Sequence, residues 1–258
     1  MKSVILAGGL GTRIRDVANN IPKPMVAIGQ HPIIWHIMKT YAHFDVKDFI
    51  VCLGYMGDLI KDYFINYAYK QNDFTVNLAN RNIFCYGESA ENWNVTLVDT
   101  GHKSLTGCRV FRVKKYLEKD DIFMLTYGDG VGNVDLNKAL DFHTTHGRIL
   151  TVTGACPASR FGELEVDGCR VVSFNEKPLR GSSCVSAGFF ICNKRIFDYL
   201  RDDENLALEG EPFYNLVKDR EVMVFRHDGF WQPMDVSRDY QFLNALWNNG
   251  KAPWKVWA

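Results

Sequence analysis

The sequence lacks an excess of charge. Thirty Lys and Arg residues balance thirty Asp and Glu residues over 258 positions, so the formal net charge at neutral pH is zero. Without a basic surplus there is no electrostatic footprint for sequence-independent binding to DNA or RNA, and no nucleic-acid partner is expected. Long apolar runs are also missing. None approaches the ~20 residues needed to cross a bilayer, and the opening MKSVILAGG reaches its glycines after an apolar stretch too short for a secretory signal. A cytosolic, cytoplasmic chain with no membrane contact is the expectation. The seven cysteines, Cys52, Cys85, Cys108, Cys156, Cys169, Cys184 and Cys192, are odd in number and contain no C-x-x-C pair. That argues against a disulfide framework or a zinc site and for reduced thiols. His143 and His146 could share a helical face as metal ligands, but no Cys or carboxylate stands at ligand spacing beside them, and an ordinary polar helix end is the better reading.

Hydrophobic residues make up 47% and charged residues 23%, the balance of a folded globular domain rather than a disordered one. Residues 3–7 read as a buried strand, IIWHIMKTYAHF as a helix, DFIVCLG as a strand and DLIKDYFINY as a second helix. Alternation of this kind argues for a parallel sheet. Residues 70–94 lose periodicity and predict an excursion or loose hairpin outside the main sheet. The alternation then resumes, with VTLVDTG and DIFMLTYGDG as strands, CRVFRVKKYLEK as a helix between them, and VDLNKALDFHTTHG as a helix closing on glycine. After residue 150 strands dominate: ILTVTGAC, ELEVDG and CRVVSFNEKP, with Asp167 and Gly168 at a hairpin turn, then CVSAGFFICN and VMVFRHDGFW. A last helix, SRDYQFLNALWNN, is expected to take Ser237 as its N-cap and Gly250 as its stop. The fold class read from this pattern is α/β: an open, mostly parallel mixed sheet with flanking helices and an inserted small β subregion, in one domain over residues 1–258.

Three glycines in LAGGLGTR, residues 6–13, look like a phosphate cradle. A Walker A loop is excluded because Thr12 and Arg13, not Lys and Ser or Thr, follow the last glycine. A dinucleotide fingerprint would need a third glycine at position 14, which is Ile14. What remains is a strand feeding a loop of backbone N–H groups, with Arg13 at its end and Lys23 between two prolines. Amides, Arg and Lys together suit a triphosphate held extended while one phosphorus is attacked. Asp129, in YGDGV, and Asp235, in QPMD, each end a strand, where open α/β sheets place ligand-facing carboxylates. The aromatic residues Trp35, Tyr41 and Phe44 fall at helical spacing and read as core. Trp247, Trp254 and Trp257 could cover the domain or face another subunit.

GGLGTR with the following PKPM resembles the signature of the sugar-1-phosphate nucleotidyltransferases, and NVTLVDTG, FMLTYGDGV, NEKP, GFWQPMD and GKAPWK resemble its glucose-1-phosphate cytidylyltransferase branch. The similarity runs from Met1 almost to the last residue. It implies a Rossmann-like nucleotide-diphospho-sugar transferase fold, with a nucleotide-binding half over about 1–135 and a sugar-phosphate half over about 136–258. It implies attack by a sugar 1-phosphate on the α-phosphorus of CTP, with Mg²⁺ as cofactor on Asp129 and Asp235. Leu6, Ala7, Gly8, Gly9, Gly11, Thr12, Arg13, Lys23, Thr106, Gly107, Arg109 and Gly128 would bind the nucleotide, Gly107 by letting the base approach the backbone. Arg13, Lys23 and Asp129 would carry the catalysis. Tyr127, Glu176, Lys177, Ser186, Gly188 and Trp231 would hold the sugar phosphate, with Lys177 on its phosphate. Family members form homo-oligomers, so assembly, up to a hexamer, is expected, with Trp247, Trp254 and Trp257 as a candidate contact. One departure stands out: Ser186-Ala187-Gly188 replaces the Asn-Gly-Gly of the branch, and Ser offers a different donor and acceptor set. Other readings remain beside this one: the same chemistry on another sugar 1-phosphate or with UTP or dTTP, a nucleotide-binding module without turnover, and a nicotinamide oxidoreductase.

Overall fold

In a computed structural model, which describes residues 1–11, 20–87, 91–155, 163–175 and 184–257, seven strands form one sheet. They are β1 (Lys2–Leu6), β2 (Asp48–Leu53), β3 (Asn94–Asp99), β4 (Ile122–Tyr127), β5 (Leu150–Ala155), β6 (Val185–Asn193) and β7 (Val222–His227). Their spatial order is β7-β5-β6-β4-β1-β2-β3. Only β6 runs antiparallel to its neighbours β4 and β5; every other pairing in the sheet is parallel. Strands buried on both faces read as continuous apolar runs, and β1 and β2 do so. Along β1, Val4 and Leu6 join one core while Ile5 joins the other; along β2, Ile50 and Cys52 separate from Val51 and Leu53 in the same way. The period of two sends alternate side chains to opposite faces, and helices cover both.

Helix α1 (Ile33–His43) begins as the fixed φ of Pro32 releases the chain, and buries Ile33, Ile34, Ile37, Met38 and Tyr41. Fully burying one such side chain stabilises the fold by about 1.5–3 kcal/mol. The second helical pattern forms α2 (Gly57–Ile65), and a further short helix, α3 (Tyr67–Gln71), follows it. Residues 70–94 carry the expected hairpin, Phe74–Val76 against Ile83–Cys85, outside the sheet. Helix α4 (Thr106–Arg112) starts earlier and stops sooner than its sequence pattern suggests, with a separate 3-10 turn at Lys114–Tyr116. Helix α5 (Leu136–His146) closes on glycine as expected, with Gly147 at φ +63°, and at its start the Asp135 side chain accepts from Lys138 N. His143 and His146 share one hydroxyl partner there. Both rings meet Thr151 Oγ1, at 2.8 and 2.7 Å.

The inserted β subregion is the hairpin Glu163–Asp167 with Arg170–Asn175. Its turn lies one residue later than expected, since Asp167 pairs with Arg170 and Gly168, at φ +59°, opens the loop. Helix α6 (Glu211–Lys218) follows, and α7 (Ser237–Asn248) ends the regular structure. Ser237 is not its N-cap but its first residue; the Asp239 carboxylate caps instead, accepting from Asp235 N and Val236 N at 3.1 Å each. The three C-terminal tryptophans fold back on the domain. Trp254 is fully buried, stacked on Phe230 and Trp247, and Trp257 packs edge-on to Trp35 of α1. No described cysteine is in a disulfide, and no helix among the described residues is long and apolar enough to cross a membrane.

Candidate active site

Parallel β1 and β4 are neighbours, with Leu6 opposite Tyr127, so the glycine loop after β1 and the Gly128-Asp129 turn after β4 leave the same edge of the sheet side by side. Gly128 N donates to Leu6 O at 3.0 Å, and a Cβ on Gly128 would come within 2.9 Å of that carbonyl. The glycine is what permits this approach. Asp235 arrives from the far end of the chain. The segment Trp231–Pro233 pairs antiparallel with Gly130–Gly132, and Met234 N donates to Asp129 O at 2.8 Å. That short ribbon sets the two carboxylates on either side of Lys23, whose Nζ lies 2.6 Å from Asp129 Oδ2 and 2.5 Å from Asp235 Oδ1.

Lys23 belongs to a 3-10 turn that starts after Pro22 and contains Pro24, and its side chain is largely buried. Burial acts to lower its pKa, but the two carboxylates outweigh burial and raise it above the ordinary lysine value. The ammonium therefore stays charged at any physiological pH.

Two cavities meet at Asp129. One, of about 500 Å³, runs along the glycine loop from Leu6 to Gly11 and includes Lys23, Thr106, Arg109, Gly128 and Asp129. The other, of about 340 Å³, is lined by Asp129, Ser186, Gly188, Trp231 and Asp235. The Tyr127 ring borders both. Gly188 sits at φ +75°, and a Cβ there would fall 2.3 Å from Tyr127 Cδ2. The Ser186 hydroxyl accepts from Gly188 N at 3.3 Å, leaving its hydrogen to donate. The Trp231 indole N–H is buried without a hydrogen-bond partner among the described residues.

The structure places several candidate residues differently from their expected contacts. Arg109 is buried, and its guanidinium donates to Gly8 O, Leu53 O, Thr100 Oγ1 and Gly101 O at 2.8–2.9 Å. It acts as a strut under the glycine loop, although it also borders the cavity. Gly107 does not line the cavity. An added Cβ would meet Leu206 O at 2.9 Å, so its missing side chain serves close packing against residues 206–208. Thr106 donates to Glu209 Oε2 at 2.6 Å. Thr12, Arg13, Glu176 and Lys177 lie outside the described residues. Sequence reasoning missed Glu209, which lines the larger cavity; in LALEGEP it looks like any carboxylate before a helix.

The glycine loop, the carboxylate pair and the lysine between them sit at the carboxyl edge of parallel strands, where open α/β folds place their ligands. The chain belongs to the nucleotidyl transferase family, whose model matches residues 2–236. Within it, the chain is 47% identical over 257 residues to a protein of Salmonella typhi named "Glucose-1-phosphate cytidylyltransferase", and 42% identical to the "Probable glucose-1-phosphate cytidylyltransferase" of Bacillus subtilis, with the full length of both chains matched in each case. Among solved structures, HddC from Yersinia pseudotuberculosis shares the fold, with a TM-score of 0.69 at 24% identity over 95% of this chain and 99% of that one.

Proposed function

We propose that the protein transfers a cytidylyl group from CTP to glucose 1-phosphate. A phosphate oxygen of the sugar phosphate forms a bond to the α-phosphorus, the bond from that phosphorus to the pyrophosphoryl oxygen breaks, and CDP-glucose and pyrophosphate result. The observation that carries this reading is the meeting of two cavities at Lys23, Asp129 and Asp235; the relatives named above supply the two substrates. The attacking phosphate is ionised at neutral pH, so no general base is needed. The work is to bring two polyanions together and hold them in line.

The larger cavity suits the nucleotide. Gly8, Gly9 and Gly11 line it without side chains that would keep phosphates from the backbone, and Lys23 stands at the end shared with the smaller cavity. Arg13 is assigned to the triphosphate from the sequence pattern. The smaller cavity suits the hexose, with the unpartnered Trp231 N–H and the Ser186 hydroxyl as donors, and with Lys177 and Glu176 assigned from the NEKP phrase to phosphate and hydroxyl.

Mg²⁺ fits the carboxylate pair. One oxygen from each of Asp129 and Asp235 converges on a single cation position, now held by the Lys23 ammonium, and hard oxygen donors suit that ion. Among the described residues no group of three or more His, Cys, Asp or Glu could hold a metal, in keeping with an ion that takes one or two carboxylates plus substrate phosphates. When bound, it would neutralise charge on the phosphates. Self-association is part of the same reading: the 74–86 hairpin exposes Phe74, Leu78, Ile83, Phe84 and Tyr86, an apolar surface suited to a second copy.

The test is pyrophosphate release with glucose 1-phosphate and each of CTP, UTP, dTTP and ATP. CTP should react fastest, and a faster reaction with another base would overturn the assignment. Replacing glucose 1-phosphate by other hexose 1-phosphates tests the sugar in the same assay.

A further inference from the structure

No motif marks Glu209, yet among the described residues it is one of only two carboxylates lining the larger cavity; the other is Asp129. Asp129 is matched by Lys23. Glu209 is held by hydroxyls: Thr106 Oγ1 donates to its Oε2 at 2.6 Å, and Tyr127 OH donates to its Oε1. The direction of each bond is fixed. Leu208 N donates to Thr106 Oγ1 at 2.8 Å, which turns the threonine hydrogen toward the carboxylate. The Tyr127 hydroxyl is the donor in the other bond, because a carboxylate oxygen can only accept. Each carboxylate oxygen thus has one neutral donor and keeps a lone pair in reserve.

An ionised carboxylate in a cavity for a polyphosphate is repulsive unless it faces a hydrogen-bond donor. A nucleoside triphosphate has such donors only on its nucleoside half: ribose hydroxyls and, in cytosine, the exocyclic amine. Uracil and thymine present a carbonyl where cytosine presents that amine. We propose that Glu209 is a specificity-determining residue that accepts a hydrogen bond from a donor on the nucleoside half of the nucleotide. Thr106 and Tyr127 are the positioning residues that aim it. The proposal rests on the reading of the larger cavity as the nucleotide site.

The experiment compares kcat/KM for CTP, UTP, 2′-deoxy-CTP and 3′-deoxy-CTP in the unaltered protein and in Glu209→Gln. Removing a charge-assisted bond is worth about ten- to a hundredfold. If the donor is the base amine, the preference for CTP over UTP falls by that factor, because an amide can also donate to the uracil carbonyl. If the donor is a ribose hydroxyl, the preference for CTP over the matching deoxynucleotide falls instead. All ratios unchanged within about twofold would overturn the proposal and leave Glu209 as a tie between Thr106 and Tyr127. Should Glu209→Gln fail to fold, Thr106→Val keeps the carboxylate and removes the hydroxyl that orients it; a shift in the same ratios supports the proposal and none overturns it. Calorimetric affinities for the same four nucleotides, measured without sugar phosphate, give the ratios even in a chain that releases no pyrophosphate. Absence of turnover would therefore defeat the proposed reaction while the binding ratios still decide the role of Glu209.

Discussion

Arg109 shows how a single residue can serve a site from beneath. Its guanidinium reaches the ends of three parallel strands through Gly8 O, Leu53 O, Thr100 Oγ1 and Gly101 O, none of them a carboxylate. Replacing it by Met strands several buried acceptors, and each unsatisfied polar group costs about 1–3 kcal/mol. Arg109→Met should lower the free energy of unfolding by roughly 2–4 kcal/mol in a denaturant titration. Arg109→Lys should recover only part, because an ammonium cannot reproduce the planar fork. Unchanged stability with weakened nucleotide affinity would instead make Arg109 a ligand contact. Asp129 should behave in the opposite way. It is half-buried at the junction of the two cavities, and Asp129→Asn removes charge with little change in volume. Pyrophosphate release should fall by orders of magnitude while the circular dichroism spectrum stays the same.

At the scale of elements, the site depends on two close approaches. The ribbon of Trp231–Pro233 with Gly130–Gly132 delivers Asp235 to Asp129. The other is the approach of β6 to the Tyr127 ring at Gly188, which combines φ +75° with ring atoms closer than any side chain tolerates. Gly147, the C-cap of α5, also has a positive φ but open space around it. The two glycines therefore separate strain from crowding. Gly147→Ala should cost about 1 kcal/mol, the backbone penalty alone. Gly188→Ala should cost about 1–3 kcal/mol more and, by displacing Tyr127, should raise KM for the sugar phosphate. Thermal unfolding of both variants, with kinetics of the second, checks this. Equal losses would show that the ring yields freely.

The whole molecule is closed by its C-terminal tryptophans over α1, and His36 is at the centre of that closure. Trp254 Nε1 donates to His36 Nδ1 at 3.4 Å while His36 Nε2 faces Ile28 O at 3.0 Å. A neutral imidazole with its proton on Nε2 satisfies both. A second proton would oppose the indole N–H, and burial holds the pKa down at about 4; burial does the same for His143. Because the unfolded chain takes up these protons near pH 6.5, the stability the two rings confer is full above that pH and is lost as pH falls from 6.5 toward 4. Each contributes on the order of 1–3 kcal/mol. Denaturant midpoints should drop between pH 7 and pH 4.5, and the His36 ring should titrate near 4 by NMR; a titration near 6.5 would show the closure to be loose. Assembly belongs to the same scale. Sedimentation should give a mass above that of one chain, and Phe84→Asp with Leu78→Asp should reduce it, since Leu78 is 87% and Phe84 64% exposed.

Local physics made much of this protein readable in advance. The apolar run of β1, the Gly147 stop of α5 and the hairpin within residues 70–94 depend on neighbours a few residues away, so the sequence alone determined them. The phrases around Gly8, Lys23, Asp129 and Asp235 likewise pointed to one family before any distance was known. Position 109 was legible as a cation but not as a strut, because its acceptors come from the ends of three separate strands. Glu209 left no trace, since a carboxylate next to a turn looks the same whether or not two hydroxyls from elsewhere are aimed at it. Trp254 could be read as surface or core until α1 was seen beneath it. The tertiary structure alone decided that Lys23 and Asp235, 212 residues apart, would lie 2.5 Å from each other. Short-range propensity fixes where strands end, but only the packing of the complete sheet fixes which ends meet.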